Sequence, residues 1–326
     1  MYGMMTQRAT FEGQMKRDSN SRPFVLSRAF FVGTQRWGPI WTGDNGAEWS
    51  HLKSSVPMLL SLGLSGMPFV GADVGGFFGN PDVELMWRWY QIGAMQPFFR
   101  AHAHLDSKRR EPWVFDEPWT GRMRSAIRMR YRLLPLWNTL FYQAHKTGVP
   151  CMRPIWYNYP TATDTFGIET SFMLGDTLLV IPVIEEGQRQ VDAFFPAGDK
   201  WYQLDHHETD AYHTEATISA GEDEDIPTFI RGGSLFVVRD RIRRSSTLME
   251  NDPVTLIIAL DQARNAAGDV YFDDGITHDY QKGELSYKTV KFEQNRLNYR
   301  YGVMTEPGWV RVHLLPNLFL LHVTRD

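Results

Sequence analysis

The chain has 326 residues, 43% of them hydrophobic, and a formal charge of −4, so it is long enough for two or three domains with real cores and carries no strong bias toward an acidic or basic partner. Its one basic run, RDRIRR from Arg239 to Arg244, is short and interrupted by Asp240 and Ile242, which argues against nucleic acid. No apolar stretch reaches the about eighteen residues a membrane span needs, and the first twenty residues, with Arg8, Glu12, Lys16 and Arg17, are not expected to act as a secretory signal.

From Arg22 to about Lys146, short apolar runs alternate with helical ones, the pattern of βα units on a parallel sheet. Strands are predicted near Phe24 to Leu26, Pro39 to Trp41, Met67 to Gly71 and Phe98 to Ala101. Helices are predicted from Glu48 to Leu62, from Pro81 with Asn80 as its cap, and from about Arg122 to His145, with Gly148 and Pro150 ending the helical region. Four strands are half of what a closed (β/α)8 barrel requires, so exposed inner layers and two open sheet edges are expected.

After Pro150 the runs become Thr177 to Val183, Val191 to Phe195, Ser234 to Val238, Val254 to Leu260 and Val270 to Phe272, separated by turn material. They predict antiparallel β domains, with a break near Gly232. The fold class is therefore α/β plus all-β. Residues 1–148 are read as the second half of a (β/α)8 barrel, 149–232 as a proximal β-sandwich and 233–326 as a distal β domain with a divergent end. Cys151 is the only cysteine, which excludes an intramolecular disulfide and leaves the redox compartment open.

Reactive groups in parallel βα folds sit at the C-terminal ends of strands. That rule selects Arg28, Asp44, Asp73 and His102, one after each predicted strand. Asp44 lies in PIWTGDNGAEW, where Gly43 allows a tight turn and Trp41 offers an apolar wall that would raise a carboxyl pKa and suit a general acid. The competing reading makes Asp44 or Asn45 a cap for the helix that follows. GADVGGFF places Asp73 at a strand end and Phe77 as a candidate wall; it lacks the Lys and Ser/Thr of a phosphate loop. In FFRAHAHLD, His102, His104 and Asp106 alternate along one face of an extended run and admit a metal site. The alternative is that His102, Arg28 and Arg100 grip vicinal hydroxyls of a sugar. Eleven Trp, thirteen Tyr and twenty Phe suit stacking on sugar faces and equally suit ordinary core packing.

The strings RPFVLSRAFF, WTGDN, GADVGGFFGNPD, RWYQIGAMQPFFRAHAH and KRREPW, followed by RPIW, MLGD, IPTFIRGGS, RRSS and FDDGITHDY, resemble glycoside hydrolase family 31. Within it they are most similar to the endoplasmic-reticulum processing α-glucosidases. The resemblance implies a retaining hydrolase that releases glucose from α-linked glucosides and N-glycans, with no cofactor or metal. It implies Asp44 as acid/base, Arg28 and His102 on substrate hydroxyls, Trp41 and Phe77 as subsite walls, and Asp73 as an orienting group. It also implies an endoplasmic-reticulum lumenal enzyme paired with a regulatory β subunit, although no targeting signal is legible here. The family's nucleophile lies in a WxDMNE string that these residues do not contain; Asp116 in WVFDEPW lies after the fourth predicted strand and does not match it. The chain alone is therefore expected to be catalytically incomplete, a non-catalytic sugar binder or, less simply, a metal-dependent hydrolase using His102, His104 and Asp106. After about Gly302 the resemblance fades, and a truncated or divergent product is expected.

Overall fold

The computed structural model describes residues 1–204, 215–294, 296–301 and 310–315. Helix α1 (Tyr2–Arg17) opens the chain and buries one residue, Gln7, whose amide donates to the carbonyls of Val25 at 2.9 Å and Pro39 at 3.3 Å. One polar side chain thus ties the helix to the first two extended runs.

Strands β1 (Ile40–Trp41) and β2 (Val70–Gly71) pair in parallel. The run predicted at Phe24 to Leu26 forms no strand; it joins the layer through a single parallel bridge from Ser27 to Ile40. On the other side, Phe98 donates its amide to Val70 and Val74 donates to the carbonyl of Arg100, both at 3.0 Å. The four predicted runs therefore lie side by side in chain order, although only the central two have a ladder. Each outer run has one bridged partner in the layer among the described residues, and Phe24, Phe31 and Val32 are exposed in or just after the first.

Helix α2 (Trp49–Leu64) buries Leu52, Val56, Leu59 and Leu60, the spacing of one helical face. Helix α3 (Val83–Ala94) is buried throughout from Leu85 onward. Its cap is Asp82, whose side chain accepts the amide of Leu85 at 2.8 Å; Asn80, the predicted cap, instead accepts the amide of Lys108. The single long helix predicted from Arg122 to His145 is two, α4 (Trp119–Arg132) and α5 (Leu134–Thr147). Pro135, at the start of the second, has no N–H to continue the first. Buried Arg130 on α4 donates to the carbonyls of Ala94, Gln96 and Pro97 at 3.2, 2.5 and 2.8 Å, fixing the end of α3 and the start of the Phe98 run.

The β region begins with β3 (Met152–Arg153), the short helix α6 (Ile155–Asn158), β4 (Phe172–Leu174) and β5 (Leu178–Val180). It continues with β6 (Gln190–Ala193), β7 (Trp201–Gln203), β8 (Ala216–Ser219) and β9 (Thr228–Arg231). β3, β4, β5, β9 and β7 form one antiparallel sheet in that order, and β6 pairs with β8. Next come β10 (Leu235–Val238), β11 (Val254–Ala259), β12 (Ala266–Phe272), β13 (Ser286–Glu293), β14 (Arg296–Tyr301) and β15 (Val310–Leu315). β12, β13 and β14 make an antiparallel meander; β11 lies between antiparallel β10 and parallel β15, a departure from the wholly antiparallel expectation. The divergent end foreseen after Gly302 lies, apart from β15, outside the described residues.

The largest apolar cluster runs from Ile40 and α2–α5 into Leu174, Val180, Ile230, Phe236 and Ile257, so the helical region and the β sheets share one core. Two smaller clusters, around Phe195, Trp201 and Phe229 and around Leu235, Ile258 and Val270, fill the β region. Among the described residues no helix is long and apolar enough to cross a membrane.

Candidate active site

Three chain segments that leave the parallel layer at one end carry the residues selected from the sequence. After β1, Gly43 has φ of +85°, a conformation glycine adopts without steric cost, and the next residue is Asp44. Its Oδ2 meets Nη1 of Arg28, from the neighbouring run, at 3.3 Å, with side chains 30% and 63% exposed. This is a solvated, adjustable pair rather than a structural one.

After β2, Asp73 is buried, and its Oδ1 accepts from Nη2 of Arg100 at 2.6 Å. The Arg100 guanidinium lies 5.2 Å from the ring centroid of Trp41, within cation–π range. Burial raises the Asp73 pKa above the ordinary aspartate value, against the opposing pull of Arg100; desolvation of the charged form is the larger effect. From the third segment, the His102 imidazole stacks on Phe77 at 5.3 Å with 30° between planes. The structure thus pairs Asp44 with Arg28, Trp41 and Asp73 with Arg100, and Phe77 with His102.

Two side chains weld these pairs together. Asn45 donates to the carbonyl of Asp73 at 3.2 Å and accepts the amide of Phe77 at 3.0 Å through Oδ1; its backbone carbonyl accepts the amides of Phe77 and Phe78 as well. It does not cap a helix: α2 starts at Trp49 with Glu48 at its cap position, so the capping reading of Asp44 and Asn45 falls. Arg110 is buried and donates to the carbonyls of Gly75 at 2.8 Å, Gly76, and His102 at 2.7 Å. In the sequence Asn45 reads as a cap and Arg110 as one residue of KRREPW; the one signal for either is its place in a long recognisable string. Gly76 permits the close approach. At φ of +74° a Cβ there would sit 2.4 Å from the carbonyl oxygen of Gly46.

The metal reading of His102, His104 and Asp106 is overturned. His104 packs edge-on to Phe77 at 5.5 Å and tilts against Phe78, His102 stacks on Phe77, and among the described residues no three His, Cys, Asp or Glu side chains form a metal-binding group. The His104 Nδ1 faces Asp106 Oδ2 at 3.4 Å, an exposed pair and no more. Asp116 sits in the turn entering α4, where its carbonyl accepts the amide of Trp119.

The model of the glycosyl hydrolases family 31 TIM-barrel domain matches residues 1–140, and that of the family 31 C-terminal domain matches residues 148–236. The probable glucan 1,3-alpha-glucosidase of Oryza sativa subsp. japonica is 51% identical over 297 residues, covering 91% of this chain and 32% of the relative. Neutral alpha-glucosidase AB of Dictyostelium discoideum is 48% identical over 310 residues, covering 92% and 32%. A crystal structure of glucosidase II alpha subunit, in its alpha3-Glc2-bound form, superposes with a TM-score of 0.90 at 42% identity, over 95% of this chain and 36% of that one. The structure of an ER glucosidase II heterodimeric complex, consisting of catalytic subunit and the binding domain of regulatory subunit, gives 0.89 at 42%, with the same coverage. The chain thus spans about a third of the length of these relatives. With two domain models of one family matched in succession along it, this chain belongs to glycoside hydrolase family 31.

Proposed function

We propose that this chain supplies the acid/base half of the active site of a retaining α-glucosidase. The observation that carries the reading is the solvent-facing Asp44 carboxylate, 3.3 Å from Arg28 and tied through Asn45 to the loop on which His102 stacks. In this reading Asp44 protonates the glycosidic oxygen and then activates water. Arg28 and His102 hold hydroxyls of the departing glucose, Trp41 and Phe77 wall its faces, and Asp73 with Arg100 keeps Trp41 in place.

A retaining mechanism needs a second carboxylate about 5–5.5 Å from the first. Asp73 is not suited to that role, because it is buried and held by Arg100. The reading assigns the nucleophile to another part of the enzyme and leaves this chain to bind glucose without turning it over. The substrates of the whole enzyme are α-linked glucosides, N-glycans included, and the same resemblance extends to an endoplasmic-reticulum lumenal setting and a regulatory β subunit. For the fold, the reading takes residues 1–148 as the second half of the (β/α)8 barrel, 149–232 as a proximal β-sandwich and 233–326 as a distal β domain.

Saturation-transfer NMR with D-glucose tests the site. Binding is expected in the wild-type chain and in Asp44→Asn, with loss in Arg28→Ala and His102→Ala. No release of p-nitrophenol from p-nitrophenyl α-D-glucoside by the chain alone is expected; ordinary turnover would refute the assignment of the nucleophile elsewhere.

A further inference from the structure

We propose that Arg110, in the KRREPW string, and Asn45 are paired positioning residues that make the acid/base loop and the sugar-holding segment move as one body. The proposal rests on the reading of Asp44, Phe77 and His102 as a sugar site, and extends it to two side chains that touch no sugar.

The Phe77 loop is gripped from both sides. From the Asp44 side, Asn45 takes the Phe77 amide on its Oδ1 and donates to Asp73. From the other side, the Arg110 guanidinium donates to Gly75 and Gly76 of that loop and, with the same Nη2, to the carbonyl of His102. Arg110 is 9% exposed, and the three acceptors its guanidinium meets are all backbone carbonyls. A cation is costly to bury without strong acceptors, and the planar fork of arginine can satisfy several at fixed angles, whereas a lysine ammonium is a point charge on a flexible stem. One loop carries the ring and the other the imidazole; the His104 amide donates to the Phe77 carbonyl at 3.0 Å, and Arg110 adds a side-chain fork that bonds both segments. A shift at either end is passed on, so a displaced Phe77 loop would disturb both the His102 ring and the Asp44 turn.

The test is Arg110→Lys in the full 326-residue chain, read by the His102 Cε1–H resonance, which feels the ring current of Phe77, and by D-glucose affinity. The expected result is a displaced His102 resonance and glucose binding weakened about fivefold or more. Asn45→Ala, at a partly buried site and with Arg110 left intact, is expected to displace the same resonance, and the double variant to bind glucose no worse than the weaker single. Glu111→Gln, in the same string but facing Arg109 at the surface, should change neither readout. If Arg110→Lys fails to fold, Asn45→Ala carries the decision. An unchanged His102 resonance in the folded variants would overturn the proposal. A displaced resonance in a chain whose wild type binds no glucose would uphold the coupling while removing the sugar reading beneath it.

Discussion

The carboxylate of Asp73 and the guanidinium of Arg100 meet at 2.6 Å, and only the second of them reaches solvent. Asp73 is 1% exposed and its Oδ2 has no partner, while Arg100 also lies over Trp41. The pair orders one wall of the site, and it does so around a carboxylate whose charged form burial disfavours.

That relationship has a pH signature. With the folded pKa of Asp73 raised, the unfolded chain ionises first as pH climbs past about 3.9, so the unfolded state gives up its proton before the folded one and stability falls. The fall ends once pH passes the raised folded value. Asp73→Asn should flatten this part of the curve of melting temperature against pH. Arg100→Met, which leaves the carboxylate unpaired, should cost about 2 kcal/mol in urea unfolding near neutral pH, less than the about 3–5 kcal/mol of a fully buried pair because Arg100 is partly solvated.

Gly76→Ala should destabilise the chain by about 2–3 kcal/mol, combining the left-handed backbone with a Cβ driven against the Gly46 carbonyl. Urea denaturation measures it. Because the crowding is a methyl carbon against backbone atoms and involves no ionisable group, the loss should persist at every pH, unlike that of Asp73.

On the proposed role of Asp44, Asp44→Asn in a catalytically active enzyme that includes this chain should lower kcat/KM on an α-glucoside with a poor leaving group by about 10²–10⁴. A good leaving group needs less proton donation and should show a smaller loss in its first step. Equal losses in kcat/KM, which reports that first step, on both substrates would argue against Asp44 as the acid.

Cys151 is buried and its pKa is pushed up to about 12 by that burial, so little thiolate exists near neutral pH. Native protein should resist an aromatic disulfide reagent such as DTNB, and one equivalent should react once urea unfolds the chain.

Much of this was legible from the residues, and the failures have particular causes. The four parallel runs were found because short apolar segments bounded by turn residues announce themselves. The outermost, at Phe24 to Leu26, forms no ladder because a strand assignment needs a partner along its length, and that run is held only by the Ser27 bridge. Helix periodicity ran unbroken from Arg122 to His145, hiding a joint that one proline decides. Asn80 and Asp82 are equally good cap residues; Lys108, distant in sequence, claims Asn80. Helix α1 gave no signal, since its one buried residue is a glutamine. At the site, sequence position selected residues at strand ends but could not show that Asn45 and Arg110 bind loop to loop, because each works through backbone carbonyls and amides that carry no sequence identity.

Helix α3 is covered on every side, and part of its cover comes from the β region: Arg88 donates to the carbonyl of Ala220 at 2.7 Å and Gln91 to that of Glu224 at 3.0 Å. A scissor cut in the Thr147–Pro150 linker would therefore sever the chain without separating its halves. The two pieces should travel together through a sizing column, and the piece that carries α3, produced by itself, should aggregate, because Arg88 and Gln91 lose their acceptors in the β region. Anyone trimming this polypeptide for crystallisation or swapping its β region with that of a cousin has to carry α3 and the Ala220–Glu224 turn as one unit.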